Sequence, residues 1–138
     1  MSQTAEEYAK AALIRFDEVV EELRSFMNAG GNGIKSYIPR RGIIYNNIYY
    51  AYQELGCIGD HEIPQLSLDS RNRLHDHFWD SRCFLNTLGS FVNWLKNQKS
   101  SLDPWGPIYR QITEDIEAFE LWLWEGRNAG NRWWIPGR

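Results

Sequence analysis

The sequence predicts an all-α protein, built as an up-and-down four-helix bundle with a long loop between helices one and two and an aromatic C-terminal tail. Apolar residues recur every three or four positions in four segments, which is the period of an amphipathic helix. No segment shows the strict alternation of a half-buried strand. A chain of 138 residues has the length of one domain, so we expect a single helical domain over 1–138.

The first helix is predicted over residues 4–28. Its inward row repeats at spacings of four and three residues and consists of Ala9, Leu13, Phe16, Val20, Leu23 and Met27. Thr4 followed by Glu7 fits a capping box, in which each side chain bonds the other residue's backbone. The glycine-rich run AGGNG at 29–33 ends the helix and begins a long loop over 29–42.

Three further helices are predicted over 43–56, 68–98 and 105–126, followed by a tail over 127–138. The third is the longest, and its spacing is that of helices packed lengthwise, with an inward row of Leu74, Phe78, Ser81, Leu85, Leu88, Val92 and Leu95. Pro104 and Pro107 introduce the fourth helix, because proline is tolerated in a first turn.

The composition limits the classes of function. A net charge of −3 argues against a general electrostatic grip on nucleic acid. No apolar run approaches the roughly 20 residues of a membrane span, and the polar start of the chain is unlike a signal peptide. Because the two cysteines, Cys57 and Cys83, are expected to be reduced, we predict a cytoplasmic protein without a membrane, cofactor or metal requirement.

The stretch RNRLHDHFWD at 71–80 concentrates ionisable side chains on the predicted third helix. His75 and His77 are two residues apart, so on a regular helix they point about 200° apart and cannot hold one metal ion together. The favoured interpretation is a pair of salt-bridged rims on an ordinary helix, in which Asp80 pairs with His77.

The same stretch resembles a motif of HEPN domains, which are all-α and of about this size. Many HEPN domains are ribonucleases built around an arginine, a polar residue, a short spacer and a histidine, and Arg71, Asn72 and His77 match that pattern. The resemblance implies that Arg71 and His77 would meet across a dimer cleft and cleave RNA without a metal. A histidine suits this reaction because it exchanges protons near neutral pH.

The stretch FELWLWEGRNAGNRWWIPGR at 119–138 carries more tryptophan than one helix face can bury. A helix that is apolar on nearly every side must be covered, either by the chain's own tail or by another protein chain. Because tryptophan and arginine are enriched at interface hot spots, the residues expected to bind another protein or a second copy are Leu121, Trp122, Trp124, Arg127, Arg132, Trp133 and Trp134. Truncation after Gly126 is expected to abolish this binding and leave the bundle folded.

A second possible surface combines basic residues with tyrosines. Lys35, Arg40 and Arg41 form a segment without acids, next to Tyr45 and Tyr49 of the predicted second helix. Aromatic residues beside bases can stack on single-stranded RNA, although tyrosines at helical spacing also pack at a boundary. The sequence favours a non-catalytic interaction module (an adaptor, inhibitor or assembly subunit) over a HEPN-like ribonuclease and over an RNA-binding protein.

Overall fold

The computed structural model describes residues 3–138 and confirms the prediction of an all-helical chain, with no strand in that range. Its α-helices are α1 (Ala5–Asn28), α2 (Gly33–Tyr37), α3 (Arg41–Gly56), α4 (Leu68–Trp79), α5 (Phe84–Lys99) and α6 (Pro107–Ala129). Short 3-10 turns lie at Gly30–Asn32, Ile38–Arg40, Asp60–Gln65 and Gly130–Trp133. Within the same residues, no helix combines the length and the apolar character that crossing a membrane requires.

Helix α1 contacts α3, α4 and α5, and the core is built around it. Half of its predicted capping box is present, since the backbone N–H of Glu7 donates to Thr4 Oγ1 at 3.2 Å, while the Glu7 carboxylate accepts from the Thr4 hydroxyl rather than from its backbone. Leu13, Phe16 and Leu23 of the predicted inward row are fully buried. Removing such a side chain from water contributes about 1.5–3 kcal/mol, so this row is a main source of stability.

The helix predicted over 68–98 is two helices in the structure. Asp80 has an extended backbone, with φ −85° and ψ 137°, and its Oδ1 accepts the N–H of Arg82 at 2.8 Å. An aspartate side chain competes for nearby backbone groups in this way, which ends a helix. The break was invisible in the sequence because residues 80–83 span about one helical turn of 3.6 residues, so the apolar spacing continues across them.

The break changes which side chains enter the core. Ser81 was predicted inward and is exposed, while Phe84 is fully buried and Leu85 is only half-buried. The other boundaries differ by a few residues: α3 begins at Arg41 and α6 continues to Ala129.

The segment predicted as a long loop over 29–42 is packed rather than open. It contains α2, whose Tyr37 is fully buried and donates its hydroxyl to Asp115 Oδ2 of α6 at 2.7 Å. Arg41 donates to both oxygens of the same carboxylate, at 2.7 and 2.9 Å. Because these partners lie 74 and 78 positions from Asp115 in the sequence, local spacing could not predict the contact.

Gly33 is a position where we expect an added methyl group to damage the fold. It is buried at the start of α2, and a Cβ there would lie 2.2 Å from the backbone oxygen of Phe26 and 2.6 Å from the ring of Trp94. A backbone oxygen cannot retreat without moving α1, so Gly33→Ala should lower the free energy of unfolding by about 1–3 kcal/mol. Urea unfolding followed by circular dichroism measures the loss.

Gly42→Ala is the matched control for that variant. A Cβ at Gly42, in the first turn of α3, meets nothing within 4 Å. Because alanine restricts the unfolded chain more than glycine does, this variant should be unchanged or more stable by about 0.4–1 kcal/mol. Equal losses in the two variants would contradict the packing described for Gly33.

Candidate functional site

His77 is the most constrained ionisable side chain of the 71–80 stretch. It is only 5% exposed, and its Nε2 lies 2.8 Å from Asp17 Oδ1 of α1. Its Nδ1 accepts the backbone N–H of Phe84 at 3.2 Å, so the proton of the neutral ring sits on Nε2 and is donated to Asp17. Burial lowers the pKa of His77, and the hydrogen bond to Asp17 opposes only part of that effect.

These two hydrogen bonds give His77 a structural role. Phe84 is the first residue of α5, so its N–H has no partner within that helix. Cys83 at the N-cap position supplies no side-chain acceptor for it. His77 supplies the missing acceptor and is held in place by Asp17, which also accepts from Arg73. One imidazole therefore connects α1, α4 and α5. The prediction that Asp80 pairs with His77 is wrong, because the carboxylate comes from Asp17 of α1.

The HEPN-like interpretation stays a prediction, but the geometry does not favour it. A general acid or base needs a ring nitrogen within hydrogen-bond reach of the substrate. Both ring nitrogens of His77 are engaged inside the protein, whereas Arg71 is half-buried six positions earlier on α4. An Arg71–His77 active site would require the joint between α4 and α5 to open.

His75 is also buried and belongs to a separate polar cluster on α4. Its Nδ1 lies 3.2 Å from Asp76 Oδ1, and Arg138 of the tail donates to the same carboxylate at 2.7 Å. Among residues 3–138, no group of three or more histidine, cysteine, aspartate or glutamate side chains is placed to hold a metal ion.

The C-terminal tail packs on the chain itself, which was one of the two alternatives left open by the sequence. Trp133 is only 3% exposed, and the turn at Gly130–Trp133 lies against α4, where the indole N–H of Trp79 donates to Gly130 O at 2.8 Å. Trp122 is buried beside Tyr45, with ring centroids 4.7 Å apart. Two of the tryptophans assigned to a partner therefore belong to the fold.

Arg132 belongs to the fold as well. Its Nε donates to Asp60 Oδ1 at 2.7 Å, its Nη1 to Leu55 O at 2.8 Å, and its Nη2 to Ile58 O. The guanidinium thereby connects the tail to the end of α3, where Leu55 lies, and to Ile58 two residues beyond that helix. The expectation that the chain stays folded when cut after Gly126 therefore conflicts with the geometry, because the cut removes both Arg132 and the buried Trp133.

The remaining members of the predicted partner-binding set are exposed: Leu121, Trp124, Arg127 and Trp134. Leu121 and Trp124 are 66% and 64% exposed and lie three residues apart, so they are neighbours on the helix surface. Together with Glu117 and Glu120 they line a shallow apolar depression on α6. We call the surface formed by Glu114, Glu117, Glu120, Leu121, Trp124 and Glu125 the α6 outer face.

The glutamates of the α6 outer face were missed by the sequence interpretation, which described the C-terminal region as aromatic and basic. The arginines at 127, 132 and 138 suggested that description, but Arg132 and Arg138 are bound to Asp60 and Asp76. The signal was present in the spacing, because Glu117 and Glu125 lie four residues before and after Leu121.

The second predicted surface carries less unpaired positive charge than its sequence suggests. Arg40 donates to Glu22 Oε1 at 2.9 Å, and Arg41 is bound to Asp115. Lys35 is exposed, and Tyr45 and Tyr49 are partly exposed with their rings stacked 6.3 Å apart. RNA binding at this surface stays a prediction, and two of the three basic residues of the surface are already paired with acids of the same chain.

Replacing Arg132 tests its role in the fold. Lysine carries one ammonium group and cannot reproduce the three directed bonds of the guanidinium. Arg132→Lys should lower the free energy of unfolding by about 1–3 kcal/mol in a urea titration. The exposed Arg127→Lys is the control, and a loss there as large as at Arg132 would contradict this assignment.

The lowered pKa of His77 predicts a dependence of stability on pH. The pKa of an unfolded histidine is about 6.5. Below that pH the unfolded chain binds a proton that the folded chain does not, so stability falls as the pH drops. His77→Asn keeps an acceptor for the N–H of Phe84 and removes the titrating ring. The pH dependence of the urea midpoint should flatten in this variant.

His61→Asn is the control for the titration, because His61 is exposed on the turn at Asp60–Gln65. It should keep the slope of the parent protein between about pH 5.5 and 7.5, the range around the histidine pKa. An unchanged slope in His77→Asn would show that other groups control the acid sensitivity.

The polar clusters around His75, His77 and Arg132 thus serve the fold, whereas the exposed apolar pair of the α6 outer face has no structural role in it. Comparisons with protein-family models, with curated proteins and with solved structures found no match to this chain.

Proposed function

We propose that this chain is a non-catalytic interaction module, a helical bundle that binds another protein through the α6 outer face. The observation that carries the proposal is the exposure of Leu121 and Trp124 side by side on that face. Tryptophan is the residue type most enriched at interface hot spots, because it offers a large contact area together with a hydrogen-bond donor.

Packing of the core does not explain why Leu121 and Trp124 are apolar. The core is supplied by the opposite side of α6, where Ile112, Ile116 and Phe119 are buried. The solvent side of such a helix is ordinarily polar. Covering the exposed parts of Leu121 and Trp124 with a partner would contribute about 2–4 kcal/mol, which is a substantial share of the free energy of a moderate complex.

The proposal is tested by photo-crosslinking in the cells from which the sequence comes. Trp124 is replaced by a photoreactive phenylalanine analogue, and in a control protein the same analogue replaces Trp105, which is 95% exposed in the turn before α6. We expect a crosslink to another polypeptide from position 124 and none to that polypeptide from position 105.

Leu121→Ala, introduced beside the analogue at 124, should reduce the yield of that crosslink by about threefold or more, because it removes apolar area that the partner would cover. Helicity should be unchanged, because Leu121 is largely exposed. Equal crosslinking from positions 105 and 124, or no crosslink from either, would refute an interaction through this face.

A further inference from the structure

We infer that the partner presents a basic amphipathic helix to the α6 outer face, with lysine or arginine flanking an apolar stripe. This inference rests on the proposed function and adds the chemistry of the partner. It is carried by the glutamates around the apolar pair: Glu114, Glu117, Glu120 and Glu125 are all exposed.

The glutamates lie next to the apolar residues on the helix surface. Glu117 and Glu125 are four residues before and after Leu121, and Glu120 is four residues before Trp124. At 100° per residue, Glu125 lies about 40° to one side of Leu121, and Glu117 lies about 40° to the other, between Leu121 and Trp124. A side chain of the partner that covers Leu121 and Trp124 therefore lies close to glutamate carboxylates.

Cations lie on both flanks of this face, and the exposed Arg110 lies four residues before Glu114 at its start. Lys96 of α5 lies 3.6 Å from Glu120, in a half-exposed pair that leaves much of the charge in solvent. Arg127 lines a cleft with Lys96 on the same flank. On the other flank, Arg41 approaches Glu114 but is bound to Asp115. Glu117 and Glu125 are therefore the acids most suited to a partner's cations.

The same charges argue against a second copy as the occupant. In a two-fold antiparallel pairing that sets Leu121 of one copy against Trp124 of the other, Glu120 faces Glu125 at both ends of the contact. Like charges placed opposite each other weaken an interface, and each chain has a net charge of −3. Nucleic acid and anionic lipid are repelled for the same reason.

A helix suits the shape of this surface. The depression is shallow and is lined by Glu117, Glu120, Leu121 and Trp124, all from a single helix. Neighbouring side chains on α6 form ridges with grooves between them. A second helix can pack into these grooves with apolar residues spaced three and four apart. Such a partner also places its flanking cations within reach of the glutamates on α6.

The test uses two synthetic helical peptides with the same apolar stripe, one flanked by lysines and the other by glutamates. Each is labelled and titrated with the full chain, and binding is followed by fluorescence anisotropy. We expect the lysine-flanked peptide to bind about tenfold more tightly or better at about 50 mM salt, and this preference to shrink at about 300 mM salt because screening increases.

Two double variants with the same change in net charge locate the binding site. Glu117→Lys with Glu125→Lys should weaken binding of the lysine-flanked peptide about tenfold, since two attractive contacts become repulsive. Glu18→Lys with Glu21→Lys changes exposed acids of α1 and should weaken it less than about threefold, by general electrostatics alone. Trp124→Ala should weaken the binding of both peptides.

The outcomes separate this inference from the proposed function. Equal binding of the two peptides, lost in both cases with Trp124→Ala, would overturn the basic partner and leave the protein-binding face in place. Binding of neither peptide, or equal weakening by the two double variants, would also overturn the basic partner, and the crosslink from position 124 then decides the proposed function separately. A dimer in sedimentation equilibrium that Leu121→Ala dissociates would identify a second copy as the occupant instead.

Discussion

The hydrogen bonds of His77 are the constraint on which the rest of the arrangement depends. They hold the joint where α4 ends and α5 begins, since one ring nitrogen accepts from Phe84 and the other donates to Asp17 of α1. With the helix broken at this joint, α4 offers a surface on which the turn at Gly130–Trp133 packs. Trp133 of the tail is thereby buried, whereas Leu121 and Trp124 of α6 stay exposed.

Pairing of charges decides the character of that surface. Arginine residues that make the sequence look basic in two places are engaged within the chain, Arg40 and Arg41 by acids of α1 and α6, and Arg132 by Asp60 and two backbone carbonyls. A guanidinium is well suited to such contacts because its donors are held in a rigid fork. What remains around Leu121 and Trp124 is largely acidic. In the function we propose, electrostatics would select the partner, while the indole and the leucine would supply contact area.

Several features could be predicted from local sequence because they depend on neighbours along one helix. The cap at Thr4, the buried row of α1 and the ends of most helices are of this kind, since they follow from the helical period and from residues at the helix ends. The exposure of Leu121 and Trp124 could be predicted only in part. The stretch has too many apolar residues for one face, but the spacing does not say which tryptophan the tyrosines of α3 will cover, and in the structure it is Trp122. The break at residues 80–83 was missed because its length preserves the apolar period.

The sequence by itself determined the helical class, the caps and the presence of surplus aromatic residues, because these depend on contacts within about one or two turns of the chain. Only the tertiary structure decided which charges are free, which histidines are buried and which tryptophans face solvent. Those outcomes depend on partners far apart in sequence, such as Asp17 for His77 at 60 positions and Asp60 for Arg132 at 72. Such pairs form only when the packed core brings their helices together, and no local period records them.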